Sequence, residues 1–224
     1  AKKILNKISN KNKIYHWYKI KKFLKIIETE KSEKEALEYI NSEFKKIKQP
    51  PLKIIFDMAN ILKTFKKYDL SILYYSKVLE KLEKNSVRYS EILYRRGGSY
   101  ERLKKYQESD YDLLQSLSIN PDEPHVLNYL AYSWLERNYK IEEAIQMLER
   151  AYEARKNDAY IIDSMGWAYY LIGNYKKAEI ILKRAVEMMP LDPVVNDHYG
   201  DILWRLGRKI QANYFWRNVL TLDD

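Results

Sequence analysis

Residues 159–192 read AYIIDSMGWAYYLIGNYKKAEIILKRAVEMMPLD, and this stretch decides the fold. Ile162, Met165, Gly166 and Tyr169 fall at i, i+3, i+4 and i+7, one face of a first helix. Gly173-Asn174-Tyr175 is a turn built from residues that tolerate positive φ. Ala178, Leu182 and Ala185 share the inner face of a second helix. Pro190 closes the unit, because proline cannot continue a helix interior. The small residues Gly166 and Ala178 are expected to face each other where the helices approach closely, with Tyr169 and Leu182 filling the space beside them.

Read outward from there, the pattern returns. Gly97, Ala131, Gly166 and Gly200 are spaced 34, 35 and 34 residues apart. Ser109, Ala178 and Ala212 each follow at an offset of 12, and Ala144 follows Ala131 at 13. Self-similarity at this period marks a helical repeat array. Five units follow: 52–85, 90–123, 124–158, 159–192 and 193–224. The unit at 124–158 carries one extra residue in its turn, near Asn138 and Tyr139. The helix pairs are expected to break near Tyr68, Tyr106, Tyr139, Tyr175 and Arg208. In the last unit Tyr199, Gly200, Leu203, Ala212, Trp216 and Val219 are the expected core. Residues 1–51 read as basic N-terminal helices. Within them 17–51 resembles a degenerate repeat, with Ala36 and Ile40 in its second helix, and 1–13 fits the second helix of a truncated one. The expected fold is all-α, a right-handed superhelical solenoid of helix-turn-helix repeats.

Composition agrees with a repeat array. Hydrophobic residues make up 46% of the 224, and 21 are tyrosine, a large ring with a polar tip suited to helix seams and ligand-facing surfaces. There is no cysteine, hence no disulfide, thiolate metal site or cysteine nucleophile. No run approaches the roughly 20 apolar residues of a membrane span. The net charge of +9 is concentrated at the start: residues 1–25 hold nine lysines and no acid. From residue 51 onward the chain holds 26 basic and 25 acidic side chains, so the repeat body is nearly neutral.

The small and large residues at these offsets resemble the tetratricopeptide repeat, over residues 52–224. The strings Asn128-Tyr129-Leu130-Ala131-Tyr132, Asp163-Ser164-Met165-Gly166-Trp167-Ala168-Tyr169 and Asn196-Asp197-His198-Tyr199-Gly200-Asp201 are similar to exported, often lipid-anchored repeat proteins of Gram-negative bacteria. That resemblance implies a non-catalytic scaffold or adaptor in the bacterial cell envelope that binds another protein, by way of an extended or helical segment. It leaves the partner, the compartment and the oligomeric state open. The last helix, with Val219, Leu220 and Leu222, is read as a truncation, a dimer contact or an atypical end.

In the geometry the resemblance implies, first helices line a concave surface with positions 2, 5, 9 and 12 of each unit. The candidate site residues are Asn60, Tyr94, Asn128, Tyr132, Tyr160, Asp163, Trp167, Tyr170, Asp197, Asp201 and Trp204. Exposed Tyr and Trp beside Asn and Asp is the composition of a binding patch. Alternatively, some of these rings pack between neighbouring repeats. Asp163, Asp197 and Asp201 make the C-terminal half of the groove acidic, suited to a basic or amide-rich segment; locally, Asp197 and Asp201 are also placed to pair with Arg205. The known clamp for a C-terminal carboxylate needs Lys, Asn and Asn where this chain has Phe56, Asn60 and Arg95, so it is incomplete.

Enzyme chemistry has little support. His16, His125 and His198 fall in different units with no second His or Cys nearby, which argues against a zinc site. No serine completes a triad beside His198, and no phosphate loop or dinucleotide fingerprint occurs. Neither cofactor nor small-molecule substrate is expected. The runner-up function uses the lysine-rich N-terminus, where Ile14, Tyr15, Trp17, Tyr18, Phe23 and Leu24 stand among the lysines and fit a membrane surface or nucleic acid.

Overall fold

The computed structural model of the chain describes residues 12–222. Those residues form twelve α-helices, and no β-strand occurs among them. The helices are α1 (Lys13–Glu30), α2 (Glu33–Lys46), α3 (Leu52–Thr64), α4 (Tyr68–Leu79), α5 (Val87–Arg102), α6 (Tyr106–Ile119), α7 (Pro124–Glu136), α8 (Ile141–Ala154), α9 (Ala159–Leu171), α10 (Tyr175–Met188), α11 (Pro193–Arg205) and α12 (Lys209–Leu222). They pair in order as six helix-turn-helix hairpins.

Each of the last five hairpins stops its first helix in the same way. The N–H groups of Lys67, Lys105, Tyr139, Asn174 and Arg208 donate back five residues to the carbonyls of Leu62, Tyr100, Trp134, Tyr169 and Leu203. The residue before each donor is left-handed: Lys66, Lys104, Asn138, Gly173 and Gly207. This is the Schellman arrangement, which satisfies carbonyls that a helix end would otherwise orphan. Two of the five left-handed positions are glycine; lysine or asparagine holds the other three, so no glycine marks those turns in the sequence. The extra residue at 137–140 is absorbed by a second left-handed residue, Lys140 at φ 44°. Helix starts are equally regular. Ser86, Asp158 and Asp192 accept bonds from N–H groups two or three residues on, and Pro124 and Pro193 occupy the first turn.

The chain divides into two compact units, Ala1–Ile119 and Asn120–Asp224. In the first, Trp17, Ile20 and Leu24 of α1 share one core with Ala36 and Ile40 of α2 and with Ile54, Met58 and Leu62 of α3. Residues of α1, α2 and α3 thus share one core across residue 52. The opposite face of α3, Ile55 and Ala59, enters a second core with Tyr75 and Val78 of α4 and Ile92 and Leu93 of α5. Residues 1–11 of the expected helix over 1–13 lie outside the described residues.

In the second unit, the register read from the sequence is the register of burial. Leu127, Leu130, Ala131 and Trp134 of α7 are buried, as are Ile162, Met165, Gly166 and Tyr169 of α9. Ala144, Leu148 and Ala151 are buried from α8, and Ala178, Leu182 and Ala185 from α10. The atoms nearest to Gly166 belong to Leu182, the residue expected to fill the space beside it: a Cβ added to the glycine would lie 2.6 Å from Leu182 Cγ and 3.2 Å from its backbone nitrogen. In α12, Ala212 alone is buried, while Trp216 and Val219 stay half-exposed, because among the described residues no further helix covers them.

Candidate functional site

The side chains that the sequence reading placed on one surface of the second unit come together across α7, α9 and α11. Trp167 and Tyr170 lie about one turn apart on α9, and their rings stack at 4.6 Å with planes 12° apart. On the other side of Trp167 lies His198 of α11, stacked at 4.1 Å and 11°. The three rings make one layered column. Each ring is then fixed by a polar partner. Trp167 Nε1 donates to Glu136 Oε1 of α7 at 2.7 Å, and Arg205 Nε donates to the Tyr170 hydroxyl at 3.2 Å. His198 Nδ1 lies 2.9 and 3.1 Å from the two carboxylate oxygens of Asp163. A carboxylate only accepts, so Nδ1 carries the proton and the ring orientation is set.

This geometry corrects the charge reading of the groove. Asp163 is buried, 5% exposed, against a histidine that is 6% exposed, so its charge is turned inward to hold the imidazole. The acid available to a ligand comes from Asp197, which is exposed, and Asp201, which is half-buried. Burial pushes the Asp201 carboxyl up, and the Asp197 charge adds to this; a hydrogen bond from Trp216 and the nearby His198 and Arg205 act against it.

The remaining candidates divide between surface and seam. Tyr160 is 63% exposed and Trp204 43%, and they are the open rings of this face. Trp204 lies 5.3 Å from Trp216 with Lys209 over it at 5.1 Å. Tyr132 is half-buried, 6.3 Å from His198. Asn128 is half-buried too, and its Oδ1 is enclosed with no hydrogen-bond partner among the described residues.

Asn60 and Tyr94 belong to the first unit. Asn60 Oδ1 of α3 accepts from the Tyr75 hydroxyl of α4 at 2.7 Å and from Arg95 Nη1 of α5 at 3.4 Å. Tyr94 is half-buried on α5. The lysine-rich start looks different once folded. Trp17 and Leu24 go into the core, and the rings left exposed on α1 are Tyr15 and Tyr18.

His198, Glu136 and Arg205 were missed as site residues. The signal for His198 was there: it follows Asp163 by 35 residues, one repeat, so neighbouring first helices bring the two side by side.

Comparison with known proteins agrees with this architecture. Residues 90–123 and 160–190 match the family model of the tetratricopeptide repeat. These two helix pairs, α5–α6 and α9–α10, are tetratricopeptide repeats. A TPR repeat-containing protein of Pseudomonas aeruginosa is 31% identical over 110 residues, which is 49% of this chain and 18% of that protein. The chain therefore matches less than a fifth of that curated relative's length. Among solved structures, a tetratricopeptide repeat protein from Parabacteroides merdae superposes with a TM-score of 0.66 at 17% identity, covering 92% of this chain and 79% of the other. MamA from Desulfovibrio magneticus RS-1 superposes with a TM-score of 0.61 at 20% identity, covering 77% and 94%. Likeness at that identity is likeness of fold.

Proposed function

We propose that this tetratricopeptide chain is a non-catalytic scaffold, and that the α7–α9–α11 face of its second unit receives a segment of a partner protein. The observation that carries this reading is the Tyr170–Trp167–His198 column. The core of the unit is already filled from the other side of α9 by Ile162, Met165 and Tyr169. The column lies apart from that filling, with His198 buried at its base, and its rings are held by three polar partners. A large aromatic fixed before binding loses little conformational freedom on binding, which is what makes a strong anchor. Tyr160 and Trp204 extend the surface as open rings, and Asp197 and Asp201 favour a basic or amide-rich segment.

An aspartate–histidine pair is also how hydrolases orient a general base. Here the imidazole lies under Trp167 and the adjacent Ser164 hydroxyl donates to the Tyr160 carbonyl. The pair then positions a ring, and no nucleophile is called for.

The test is a photo-crosslinking residue placed at 160 or 204, identification of the captured partner, and measurement of that partner's affinity. Trp167→Ala combined with Trp204→Ala is expected to weaken it by about 2 kcal/mol or more, with helicity unchanged by circular dichroism. Unaltered affinity in the folded double variant would take the site off this face.

A further inference from the structure

Two turns of the first unit hold lysine in a backbone conformation that suits glycine. Lys66, after α3, has φ 54°, and Lys104, after α5, has φ 58°. Two turns of the second unit place Gly173 and Gly207 at the same point. A side chain in the left-handed region crowds its own backbone, and glycine would relieve this. A cation near a helix C-terminus does complement the macrodipole, but any residue of the last turn can supply it without positive φ. Each left-handed lysine is followed by another, Lys67 and Lys105, so each turn presents a pair, and all four side chains are exposed.

The two pairs lie side by side, because Lys105 Nζ reaches to 3.6 Å from Asp69 Oδ1 at the start of α4. Turn residues 65–67 and 103–105 hold no acid. The acids flanking them are Asp69, Glu101 and Glu108, and the first two are taken by Lys105 and, at 3.6 Å, by Arg102. Lys66, Lys67 and Lys104 make no ion pair among the described residues. Lys63 turns away, toward the Arg95 carbonyl at 3.4 Å. At the other end of α4 and α5, the connection 80–86 sets Lys81 and Lys84 against Glu80 and Glu83. An apolar side chain stands among the turn lysines: Leu70, in the first turn of α4, is 44% exposed.

We propose that this edge, the α3–α4 and α5–α6 turns together with Leu70, binds the surface of an anionic lipid bilayer. A turn is the tip of its hairpin, so one plane of headgroups can meet both lysine pairs at once. The ammonium groups are then at the level of the lipid phosphates, and Leu70 enters the apolar boundary beneath them. Nucleic acid fits less well. A single strand asks for open rings on which bases stack, and here Phe65 is buried while Tyr68 and Tyr106 are half-buried. A phosphate backbone gives an exposed leucine nothing to do. The edge shares no residue with the aromatic column or with the lysine-rich helix α1.

The experiment is flotation of the full chain with phosphatidylcholine vesicles, with and without phosphatidylglycerol. Binding is expected only with the anionic lipid and should weaken as salt rises. Lys67→Gln combined with Lys105→Gln should weaken it by at least about tenfold. Lys66→Gly combined with Lys104→Gly should weaken it as much, while the thermal midpoint holds or rises, which separates binding from stability. Lys67→Arg with Lys105→Arg should stay close to wild type. So should Lys81→Gln with Lys84→Gln, and Lys22→Gln with Lys25→Gln, which remove equal charge from exposed positions at the other end of the hairpins and on α1. The chain has no cysteine, so Leu70→Cys can carry a single environment-sensitive fluorophore. Its emission should shift to the blue on anionic vesicles, and that of a label at Ile180→Cys, 72% exposed on α10, should not. Equal losses from the three glutamine pairs, loss confined to the α1 pair, or an unmoved emission at position 70 would overturn the proposal. So would binding of a dodecathymidylate that depends on Lys67 and Lys105 and is as tight as that of the vesicles.

Discussion

In the second unit the small residue that starts the seam between paired helices is alanine each time: Ala144, Ala178 and Ala212. In the first unit Ala36 of α2 is followed by serine, at Ser71 of α4 and Ser109 of α6, and Ser116 stands where Ala151 and Ala185 stand later. Both residues let backbones approach, but a buried hydroxyl must find a partner or cost free energy. Ser71 Oγ donates to Ser99 Oγ at 2.9 Å, and the Ser90 and Ser116 hydroxyls lie 2.8 Å apart, each also 3.0 Å from the other's carbonyl, so that their two protons have close acceptors. Ser109 Oγ is buried with no partner among the described residues. The contrast extends to the charged seam. Arg96 stands where other units carry Met58, Leu130 or Met165, and it grips the buried Asp112 with two 2.7 Å bonds and Ser76 with a third. Burial pushes the Asp112 carboxyl up and the arginine pulls it back. Thus the seam between α5 and α6 carries directional polar bonds, where the seams between paired helices of the second unit are closed by shape.

The largest break in this comparison should come from Arg96→Met. It places at this repeat position the residue that Met58 and Met165 supply in their own repeats, but leaves Asp112 as an unpaired buried acid. A loss of about 3–5 kcal/mol is expected. Adding Asp112→Ile, which copies Ile181 of the second unit, should recover most of it. Urea unfolding gives the magnitude, and hydrogen exchange should localise the weakening to residues 68–119. A single variant within about 1 kcal/mol of wild type would mean that the ion pair is dispensable.

Shape should fail differently. Gly166→Leu overpacks the contact with Leu182, at an expected cost of about 1–3 kcal/mol or more, with exchange now faster in residues 159–188. The milder pair sharpens the point. Gly97→Ala meets the movable Leu113 side chain first, at 3.0 Å, whereas Gly166→Ala also meets the Leu182 backbone at 3.2 Å, so the second should cost more. Equal midpoints for the two alanine variants would remove the distinction.

The smallest effect has the opposite sign. Ser109→Ala removes an unpartnered buried hydroxyl and copies the second unit, so a gain of about 1 kcal/mol is expected. Ser116→Ala should lose stability instead, because it removes the hydroxyl contact with Ser90 and the bond to the Ser90 carbonyl, leaving the Ser90 hydroxyl only the carbonyl of residue 116. If both changes are neutral in thermal unfolding, the serine seam carries no energetic meaning.

Much of this architecture was written in spacing. The interval of 34 or 35 residues between Gly97, Ala131, Gly166 and Gly200, together with the apolar face at i, i+3, i+4 and i+7, determines the hairpins and nearly every buried position. Burial along a helix is a local, periodic property, so a single repeat can be read without its neighbours. Contacts between repeats are of another kind. That Asp163 turns inward to His198, that Trp167 is stacked on both faces, and that Lys63 comes to lie beside Arg95 all depend on two first helices standing side by side. Residues 31 to 35 positions apart then share a surface, and their side chains settle each other's charge and orientation. The left-handed turns at Lys66, Lys104 and Asn138 belong with these. Nothing local demands positive φ there, and it is the docking of each second helix against the first that makes the chain adopt it.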